Sequence, residues 1–509
     1  MLGTPGNGSH GTFRGTVRRA GARWVRAVRQ RWRTVPPQRR RTWGLTAGSA
    51  AAGLAVSLGA VTAAGPWDSG QRTAERSRAV TLEADSGVRH TEDARAPRGH
   101  RDDAPAPSAR PVLAPAGDGA AAPTRAGLAQ ALRPLLDGLD DPALGRTATA
   151  SVVDVATGEE LFEAGGREPV VPASTIKLAT AAAALTALGP DHRLATRTVW
   201  DADERRVVLV GGGDPTLTEE RLARLADATA RAVRAGERAP RALAYDVSGY
   251  SGPGRHPIGV NPNIAPLTPL MLNAARTDDS RHGPAPRAAD PAAATAGRFA
   301  ELLAERGVDT GRTLRARAPR DADALGVTRS APLAALVESM LTHSDNDVAE
   351  ALARHTARAT GRPADFRGVR AATREVLGSL GLPVDGAVFA DGSGLSRESA
   401  VPASFLSALL ATAAGPDHPA LRPLLTGLPV AGFTGTLGGR YDGADTGAAA
   451  GLVRAKTGTL TGVNTLAGLV VAADGRLLSF AFLTTGATGP AVQDTLDRLA
   501  TTVAACGCR

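Results

Sequence analysis

The sequence predicts a mixed α/β (α+β) fold in which both ends of the ordered chain contribute strands to one antiparallel sheet. The observations are a hairpin pattern near each end and a helical apolar pattern outside each hairpin. The segments are a helix at 127–136, strands at 147–154, 160–164, 466–472 and 477–484, and a closing helix at 491–504. The last two strands flank Asp474-Gly475, a favourable hairpin turn. This order places a long middle region between the two hairpins.

The first 41 residues carry the excess positive charge of this 509-residue chain. They contain 11 arginines and no acid, whereas the rest has 48 basic and 50 acidic residues, although the whole chain has a net charge of +9. Nucleic-acid binding needs basic residues on a folded surface together with aromatic groups, and aromatics make up only 3% of the chain. The composition therefore argues against a nucleic-acid partner and predicts a disordered basic tail at 1–41.

An uncharged apolar run at 42–67 follows this tail. Its 26 residues could cross a bilayer as a helix, and the positive-inside rule places residues 1–41 in the cytoplasm. We expect a single-pass anchor in the cell membrane with the later residues outside, and a disordered linker at 68–123 that is poor in large apolar groups. A cleaved signal peptide, which would give a secreted protein, and a twin-arginine signal at Arg40-Arg41 stay open.

Lysine occurs only twice among the 59 basic residues, at Lys177 and Lys456, and the others are arginine. A lysine amine can lose its proton and act as a base, whereas a guanidinium cannot. Ser174 precedes Lys177 by three residues at the start of an apolar segment, 173–188, that is typical of a buried helix. Residues three apart share a helix face, so the pattern indicates a serine nucleophile beside a lysine base.

Two further motifs follow in order, Ser344-Asp345-Asn346 and Lys456-Thr457-Gly458. The first falls between a helix at 331–341 and another that starts near Asp347, with a capping-box-like spacing to Glu350. A loop between two helices can present side chains to a cleft. The second motif is predicted to lie on an edge strand whose glycine permits close ligand approach.

Residues 195–330 have a different pattern. A strand at 207–210 enters Gly211-Gly212-Gly213, and an amphipathic helix follows at 218–235. The glycine run lacks the Gly-Lys-Ser/Thr of a phosphate loop and is interpreted as a turn. The only cysteines, Cys506 and Cys508, have no accompanying His/Cys cluster, so we treat them as incidental and expect no metal and no cofactor.

The three motifs in this order, with Gly212–Leu217 and Asp391–Arg397, resemble the serine penicillin-recognising enzymes. Within them the chain is similar to the D-alanyl-D-alanine carboxypeptidase/endopeptidase family, the class C low-molecular-mass penicillin-binding proteins. The resemblance covers about 124–505 and implies a beta-lactamase/transpeptidase-like fold, an antiparallel five-stranded sheet flanked by helices. The peptidase domain would comprise 124–194 and 331–505, with an inserted accessory domain at 195–330. This insertion is shorter than in the best-known members, so we expect one accessory subdomain to be reduced or missing.

The resemblance also implies the chemistry, hydrolysis of a D-Ala-D-Ala or related cross-link bond through an acyl-serine. Peptidoglycan stem peptides would be substrates, and beta-lactam antibiotics would be covalent inhibitors. Burial and the charge of Lys456 are both expected to lower the pKa of Lys177. The implied roles are Ser174 as nucleophile, Lys177 as base, Ser344 as proton relay, Asn346 as ligand of the substrate backbone, Lys456 and Thr457 as carboxylate receptors, Gly458 as the point of close approach, and the N–H groups of Ser174 and Thr459 as oxyanion hole.

Other functions stay open at this point. A histidine-based serine hydrolase is disfavoured because the sequence has no G-x-S-x-G elbow. A serine beta-lactamase needs a group that speeds deacylation, and no clear Glu-x-x-x-Asn pattern lies between Ser344 and Lys456. A non-catalytic penicillin or peptidoglycan sensor would not need every chemical group that this chain carries.

Overall fold

A computed structural model of the protein describes residues 123–136, 144–259 and 261–507. The predicted basic tail, the apolar run at 42–67 and nearly all of the linker lie outside these ranges. No helix within the described ranges is long and apolar enough to cross a membrane.

Strands and helices are numbered separately in chain order. The strands are β1 (Thr147–Asp154), β2 (Glu160–Ala164), β3 (Ala195–Asp201), β4 (Arg206–Val210), β5 (Ala242–Asp246), β6 (Arg312–Arg315), β7 (Asp323–Arg329), β8 (Arg454–Leu460), β9 (Val463–Val471) and β10 (Leu477–Thr485). The α-helices are α1 (Arg125–Leu136), α2 (Lys177–Leu188), α3 (Glu219–Ala235), α4 (Pro291–Ala304), α5 (Leu333–His343), α6 (Asn346–Ala359), α7 (Phe366–Ser379), α8 (Ala403–Ala414), α9 (Arg422–Thr426) and α10 (Pro490–Ala505).

The first sheet is antiparallel throughout and has the order β2-β1-β10-β9-β8. Strand β1 pairs with β10 from Thr147↔Thr485 to Asp154↔Leu478, so the two ends of the described chain meet inside this sheet. The turn between β9 and β10 contains Gly475 at φ +85°, a conformation that glycine adopts without steric cost. The predicted antiparallel five-stranded sheet with flanking helices is confirmed.

Each face of the first sheet is covered by helices because its central strands are apolar on both sides. Alternate side chains of β9, such as Ala467 and Leu469, join a core cluster with α2, α5 and α8. The intervening ones, such as Leu466 and Val470, pack with α1 and α10 in a second cluster. This two-sided burial holds α2, which follows the serine motif, against the sheet.

A second five-stranded sheet has the order β6-β5-β4-β3-β7 and is mixed. Its parallel pairs are β4 with β5 and β5 with β6, and the others are antiparallel. Helices α3 and α4 supply side chains to its apolar cluster, and the Thr218 hydroxyl caps α3 by accepting from Arg221 N. All its strands lie between residues 195 and 329, and sequence patterning identified only β4 among them.

The segment predicted as one helix from 173 to 188 begins differently. Residues Ala173–Ile176 form a 3₁₀ turn, and α2 starts at Lys177 and ends before Gly189 at φ +83°. Ala173 has φ +47°, which is costly for a residue with a Cβ. The serine therefore lies on a tight turn ahead of the α-helix.

The C-terminal cysteines also require a correction. Cys506 is buried in the cluster beneath α10 and is disulfide-bonded, so treating it as incidental was wrong. Cys508 lies outside the described residues.

Candidate active site

Lys177 and Ser174 are in hydrogen-bond contact, as their spacing predicts. The Nζ atom of Lys177 lies 2.9 Å from Ser174 Oγ, 2.7 Å from Asn346 Oδ1 and 2.6 Å from the Ser393 carbonyl oxygen. The Lys177 side chain is fully buried at the start of α2. Two of its three partners are carbonyl oxygens that can only accept, whereas the serine hydroxyl can donate or accept.

The orientation of the Asn346 amide follows from its second contact. Its Nδ2 donates to the Asn263 carbonyl oxygen at 2.9 Å, which leaves Oδ1 to accept from Lys177. One N–H of Nδ2 remains for another acceptor, consistent with a role in binding a peptide backbone. Asn263 lies in the segment 195–330 and was not predicted as part of the site.

Burial lowers the pKa of Lys177 to about 8, and the carboxylates of Asp391, Asp345, Glu350 and Asp347 oppose this shift. Burial and the charge of Lys177 hold the pKa of Lys456 well below its usual range. Burial thus lowers the pKa of Lys177 as expected, whereas the charge of Lys456, which was expected to lower it too, is not among the causes. The repulsion between the two lysines lowers the pKa of Lys456 instead. Near neutral pH, an appreciable fraction of Lys177 is the free amine.

A pH dependence follows from this pKa. The base must be neutral to accept a proton, so we expect the acylation rate of Ser174 to rise with pH up to about 8 and then level off. Below that point the rate should change by about tenfold per pH unit. Stopped-flow measurement of acylation by a fluorescent penicillin between about pH 5 and pH 10 tests this profile. We call its rising part below about pH 8 the acid limb. A rate independent of pH would contradict the role of Lys177.

The junction between α5 and α6 carries the second motif. Ser344 ends α5 in the left-handed conformation at φ +57°, and the Asp345 carboxylate caps α6 by accepting from Val348 N at 2.9 Å. The expected cap at Asp347 was wrong, because Asp347 instead forms an ion pair with Arg287 at 2.9 Å and accepts from Ala265 N. Ser344 lines the same cleft as Ser174, as predicted.

Asp345 offers a test of charge at this junction. Its carboxylate raises the pKa of Lys177, so Asp345→Asn should move the acid limb of acylation to lower pH. Asparagine caps a helix as well as aspartate, so stability should change little, whereas Asp345→Ala should move the limb equally and also cost about 1 kcal/mol of unfolding free energy. Thermal melts of the two variants measure the contribution of Asp345 to helix capping, and their pH profiles measure the effect of its charge on Lys177. An unmoved limb in both variants would exclude the electrostatic coupling.

Strand β8 carries the third motif on the edge of the first sheet. Ala455 N donates to the Pro429 carbonyl oxygen on the side away from β9, at 2.9 Å. Because peptide groups alternate along a strand, those of Thr457 and Thr459 point to the same free edge. Both threonines line the cleft of about 410 Å³ that also contains Ser174 and Asn346. The edge therefore presents the Thr459 amide to the nucleophile's cleft.

The Lys456 side chain does not line the cleft. It is fully buried, and its Nζ donates to the Thr457 carbonyl oxygen at 2.7 Å. The hydroxyl of Thr457 donates to that of Thr436 at 2.7 Å, and Thr436, which was not predicted, does line the cleft. The hydroxyls of Thr457 and Thr436 thus lie between the cleft and the buried Lys456 amine.

Gly458 lies close to protein backbone, and the ligand approach expected from its motif stays a prediction. A Cβ at this position would lie 2.8 Å from the Pro172 carbonyl oxygen and 3.0 Å from Ser174 N. The strand therefore touches the turn that carries the nucleophile. The Thr465 hydroxyl reinforces this contact by donating to Pro172 O at 2.8 Å.

A buried group behind Lys177 was not identified as part of the site from the sequence. It comprises His256, Glu350 and Asp391, whose side chains surround the loop 391–394 that supplies the Ser393 carbonyl. These three are also close enough together to be considered as metal ligands within the described part of the chain. The Asp391–Arg397 motif was the available signal for Asp391, but nothing in the sequence connects it to His256.

Comparison with known proteins identifies the family of this chain. The family model described as D-Ala-D-Ala carboxypeptidase 3 (S13) matches residues 132–277 and 277–504. Those ranges cover well over half of the chain and include all three motifs. The chain belongs to this family.

Two carboxypeptidases from mycobacteria are similar to this chain over most of their length. Carboxypeptidase Rv3627c of Mycobacterium tuberculosis is 40% identical over 431 residues, which are 80% of this chain and 90% of the relative. Carboxypeptidase DacB of Mycolicibacterium smegmatis is 39% identical, over 79% of this chain and 89% of the relative. The family model and these two relatives thus give the same assignment.

A solved structure shares the fold of this chain. Penicillin binding protein 4 from Haemophilus influenzae matches with a TM-score of 0.60 and 22% identity, over 74% of this chain and 97% of that one. At this identity the match supports the fold alone.

Proposed function

We propose that the protein is a serine-type D-Ala-D-Ala carboxypeptidase/endopeptidase that acts on peptidoglycan stem peptides through an acyl-serine. One observation carries the proposal, the set of three partners around Lys177 Nζ. A neutral amine has two N–H groups and one lone pair. Because two partners can only accept, the N–H groups go to them and the lone pair faces the hydroxyl of Ser174.

Acylation follows from these positions. Ser174 Oγ attacks the carbonyl carbon of the scissile peptide bond while its proton passes to Lys177 Nζ. The amides of Ser174 and Thr459 stabilise the negative charge that develops on the carbonyl oxygen. Ser344 then relays a proton to the departing amine of D-alanine, the C–N bond breaks, and the acyl-enzyme remains. Water hydrolyses this ester and restores Ser174.

The terminal carboxylate of the substrate is expected to lie at the outer edge of β8. The hydroxyls of Thr457 and Thr436 line the cleft there, and behind them the buried Lys456 amine donates to the Thr457 carbonyl oxygen. Asn346 would donate its free N–H to the substrate backbone. A C-terminal D-alanine then places its peptide bond beside Ser174.

Beta-lactams are proposed as covalent inhibitors of the same serine. A strained lactam presents its carbonyl to Ser174 as a peptide does, and the ring-opened product stays attached as an ester. A second Haemophilus influenzae structure of the same fold is described as complexed with a novel beta-lactam.

The deciding experiment measures release of D-alanine from a stem pentapeptide by the wild-type protein and by Ser174→Ala, together with labelling by fluorescent penicillin. We expect release and slow-turnover labelling in the wild type and neither in the variant. Labelling of Ser174 without release of any D-alanine would favour a sensor. Fast penicillin turnover would favour a beta-lactamase.

We also propose that the protein is anchored in the cell membrane and that its peptidase domain contains an inserted accessory domain. The arginine-rich tail and the uncharged run at 42–67 support a single-pass membrane anchor with the catalytic residues outside the cell membrane. Residues 195–330, which hold the second sheet, would be the inserted accessory domain. Membrane fractionation and N-terminal sequencing of the expressed protein distinguish an anchor from a cleaved signal.

A further inference from the structure

Three buried side chains behind Lys177 have no role in the proposed mechanism. His256, Glu350 and Asp391 are 3%, 1% and 2% exposed. His256 lies in the segment 195–330, Glu350 is on α6, and Asp391 precedes the sharp turn at Gly394. Burying a carboxylate is unfavourable unless hydrogen bonds or charges compensate it, so the partners of these groups reveal what they stabilise.

The two carboxylates hold one loop, residues 391–394. Glu350 Oε1 accepts from the amides of Gly392 and Ser393, both at 3.0 Å. The Asp391 carboxylate accepts from the amides of Gly394 and Ser396 and the hydroxyls of Ser393 and Ser399, at 2.9–3.1 Å. A loop with this many charge-assisted hydrogen bonds has little freedom to shift.

The same loop fixes the position of the base. Its Ser393 carbonyl accepts from Lys177 Nζ at 2.6 Å, and its Gly392 carbonyl accepts from Thr180 Oγ1 at 2.7 Å. A Cβ at Gly394 would lie 2.0 Å from the Ala173 carbonyl oxygen, so the loop also abuts the turn that carries Ser174. A displacement of this loop therefore moves a hydrogen-bond acceptor of Lys177.

His256 also supports the loop, and its neighbours determine which ring nitrogen carries a proton. The amide of Ile258 donates to Nδ1 at 3.3 Å, so Nδ1 carries no proton. The proton is therefore on Nε2, which donates to Asp391 Oδ2 at 3.0 Å. Although burial raises it, the hydrogen bonds from His256 and Ser396 hold the pKa of Asp391 below its ordinary value. The Nε2–H group of His256 thus stabilises the buried Asp391 carboxylate.

We propose that His256 is a positioning residue for the base, acting through Asp391 and the Ser393 carbonyl on Lys177. The inference rests on the proposed roles of Ser174 and Lys177. It gives the segment 195–330 a part in catalysis, because that segment supplies a hydrogen bond without which the loop is less firmly held. His256 itself does not contact the substrate.

A metal site is the competing interpretation of this cluster. The carboxylate oxygens already accept from backbone amides and hydroxyls, and Glu350 Oε2 accepts from Arg354 at 2.6 Å. An ion bound here would have to displace these donors. The hydrogen-bond pattern therefore favours the positioning role.

The experiment compares full-length wild type, His256→Leu and His256→Gln in acylation by fluorescent penicillin across pH. Leucine is similar to histidine in size and removes the donor, and we expect the plateau rate to fall about tenfold, as for loss of a hydrogen bond to a charged group. The acid limb should move to lower pH, because an ammonium with a poorer acceptor loses its proton more easily. Glutamine can present an N–H near the position of Nε2 and should recover most of the rate.

The charged groups around Lys177 and His256 are the same in all three proteins, so they do not account for a difference between the pH profiles. Asp391, Asp345, Glu350 and Asp347 raise the pKa of Lys177, and the charge of Lys177 lowers that of Lys456. Arg367, Arg370 and Glu398 line the 230 Å³ pocket beside His256. A change in the fraction of folded protein alone would lower the plateau and leave the limb in place.

If His256→Leu does not fold, His256→Gln against His256→Asn decides, since the shorter asparagine cannot reach Asp391. Equal plateaus and limbs for these two, or a wild-type profile for His256→Leu, overturn the inference. Stoichiometric metal in the wild type that is lost in His256→Leu also overturns it. A wild type that penicillin does not acylate refutes the proposed function instead.

Discussion

Replacing Lys177 by arginine should abolish rapid acylation of Ser174 while keeping the positive charge. A guanidinium stays protonated, so it cannot take the serine proton, and loss of a general base lowers rates by about 10²–10⁴-fold. The Lys177 side chain is fully buried among Ser174, Asn346 and Ser393, so solvent cannot easily replace it. The measurement is the second-order rate of penicillin labelling at about pH 8, where the wild-type rate should level off.

Lys177→Met is the matched control for this substitution. Methionine is similarly long and uncharged, so it should lose acylation as arginine does. It also removes a buried charge, so its unfolding midpoint should equal or exceed that of Lys177→Arg. Normal acylation by folded Lys177→Arg would show that another group is the base.

Gly458→Ala should produce the second large effect. The added Cβ would lie 2.2 Å from Thr465 Oγ1, 2.8 Å from Pro172 O and 3.0 Å from Ser174 N, so β8 must move away from the nucleophile. The Thr459 amide would then leave its place in the oxyanion hole, whose loss typically costs about 10²–10³-fold in rate. Overpacking should also lower the unfolding free energy by about 1–3 kcal/mol.

A glycine in open space provides the control for Gly458→Ala. Gly297 lies in α4, and a Cβ added there would have no neighbouring atom within 4 Å, so Gly297→Ala should keep full activity and gain slightly in stability. D-alanine release and chemical denaturation of both variants give the comparison. Unchanged activity in Gly458→Ala would mean that β8 tolerates the displacement and that Thr459 does not bind the oxyanion.

The sequence was most informative where local pattern and motif coincide. The hairpins of the first sheet were recognisable because their strands are apolar and their turns contain glycine, such as Gly475. Ser174 and Lys177 were identified because three residues along a helical turn bring two side chains together. In each case the contacting residues are close together in the sequence.

The sequence was least informative where a contact joins distant segments. Asn263 and His256 reach the site across 83 and 135 residues of sequence from Asn346 and Asp391. No spacing rule connects such pairs. The strands β6 and β7 of the second sheet were also missed, because most of their side chains are exposed or half-buried and show little apolar periodicity. The left-handed backbone of Ala173 has no marker in residue type.

The pairing of β1 with β10 has a consequence for how the protein is made. Thr147 and Thr485 are neighbours in the sheet, so the first sheet cannot be completed until β10 has left the ribosome. Until then β8, with Lys456, lacks its connection through β9 to the strands near Ser174. Closing so long a loop makes such a topology slow to fold. Premature termination within β10 should therefore yield an inactive chain with both lysines present.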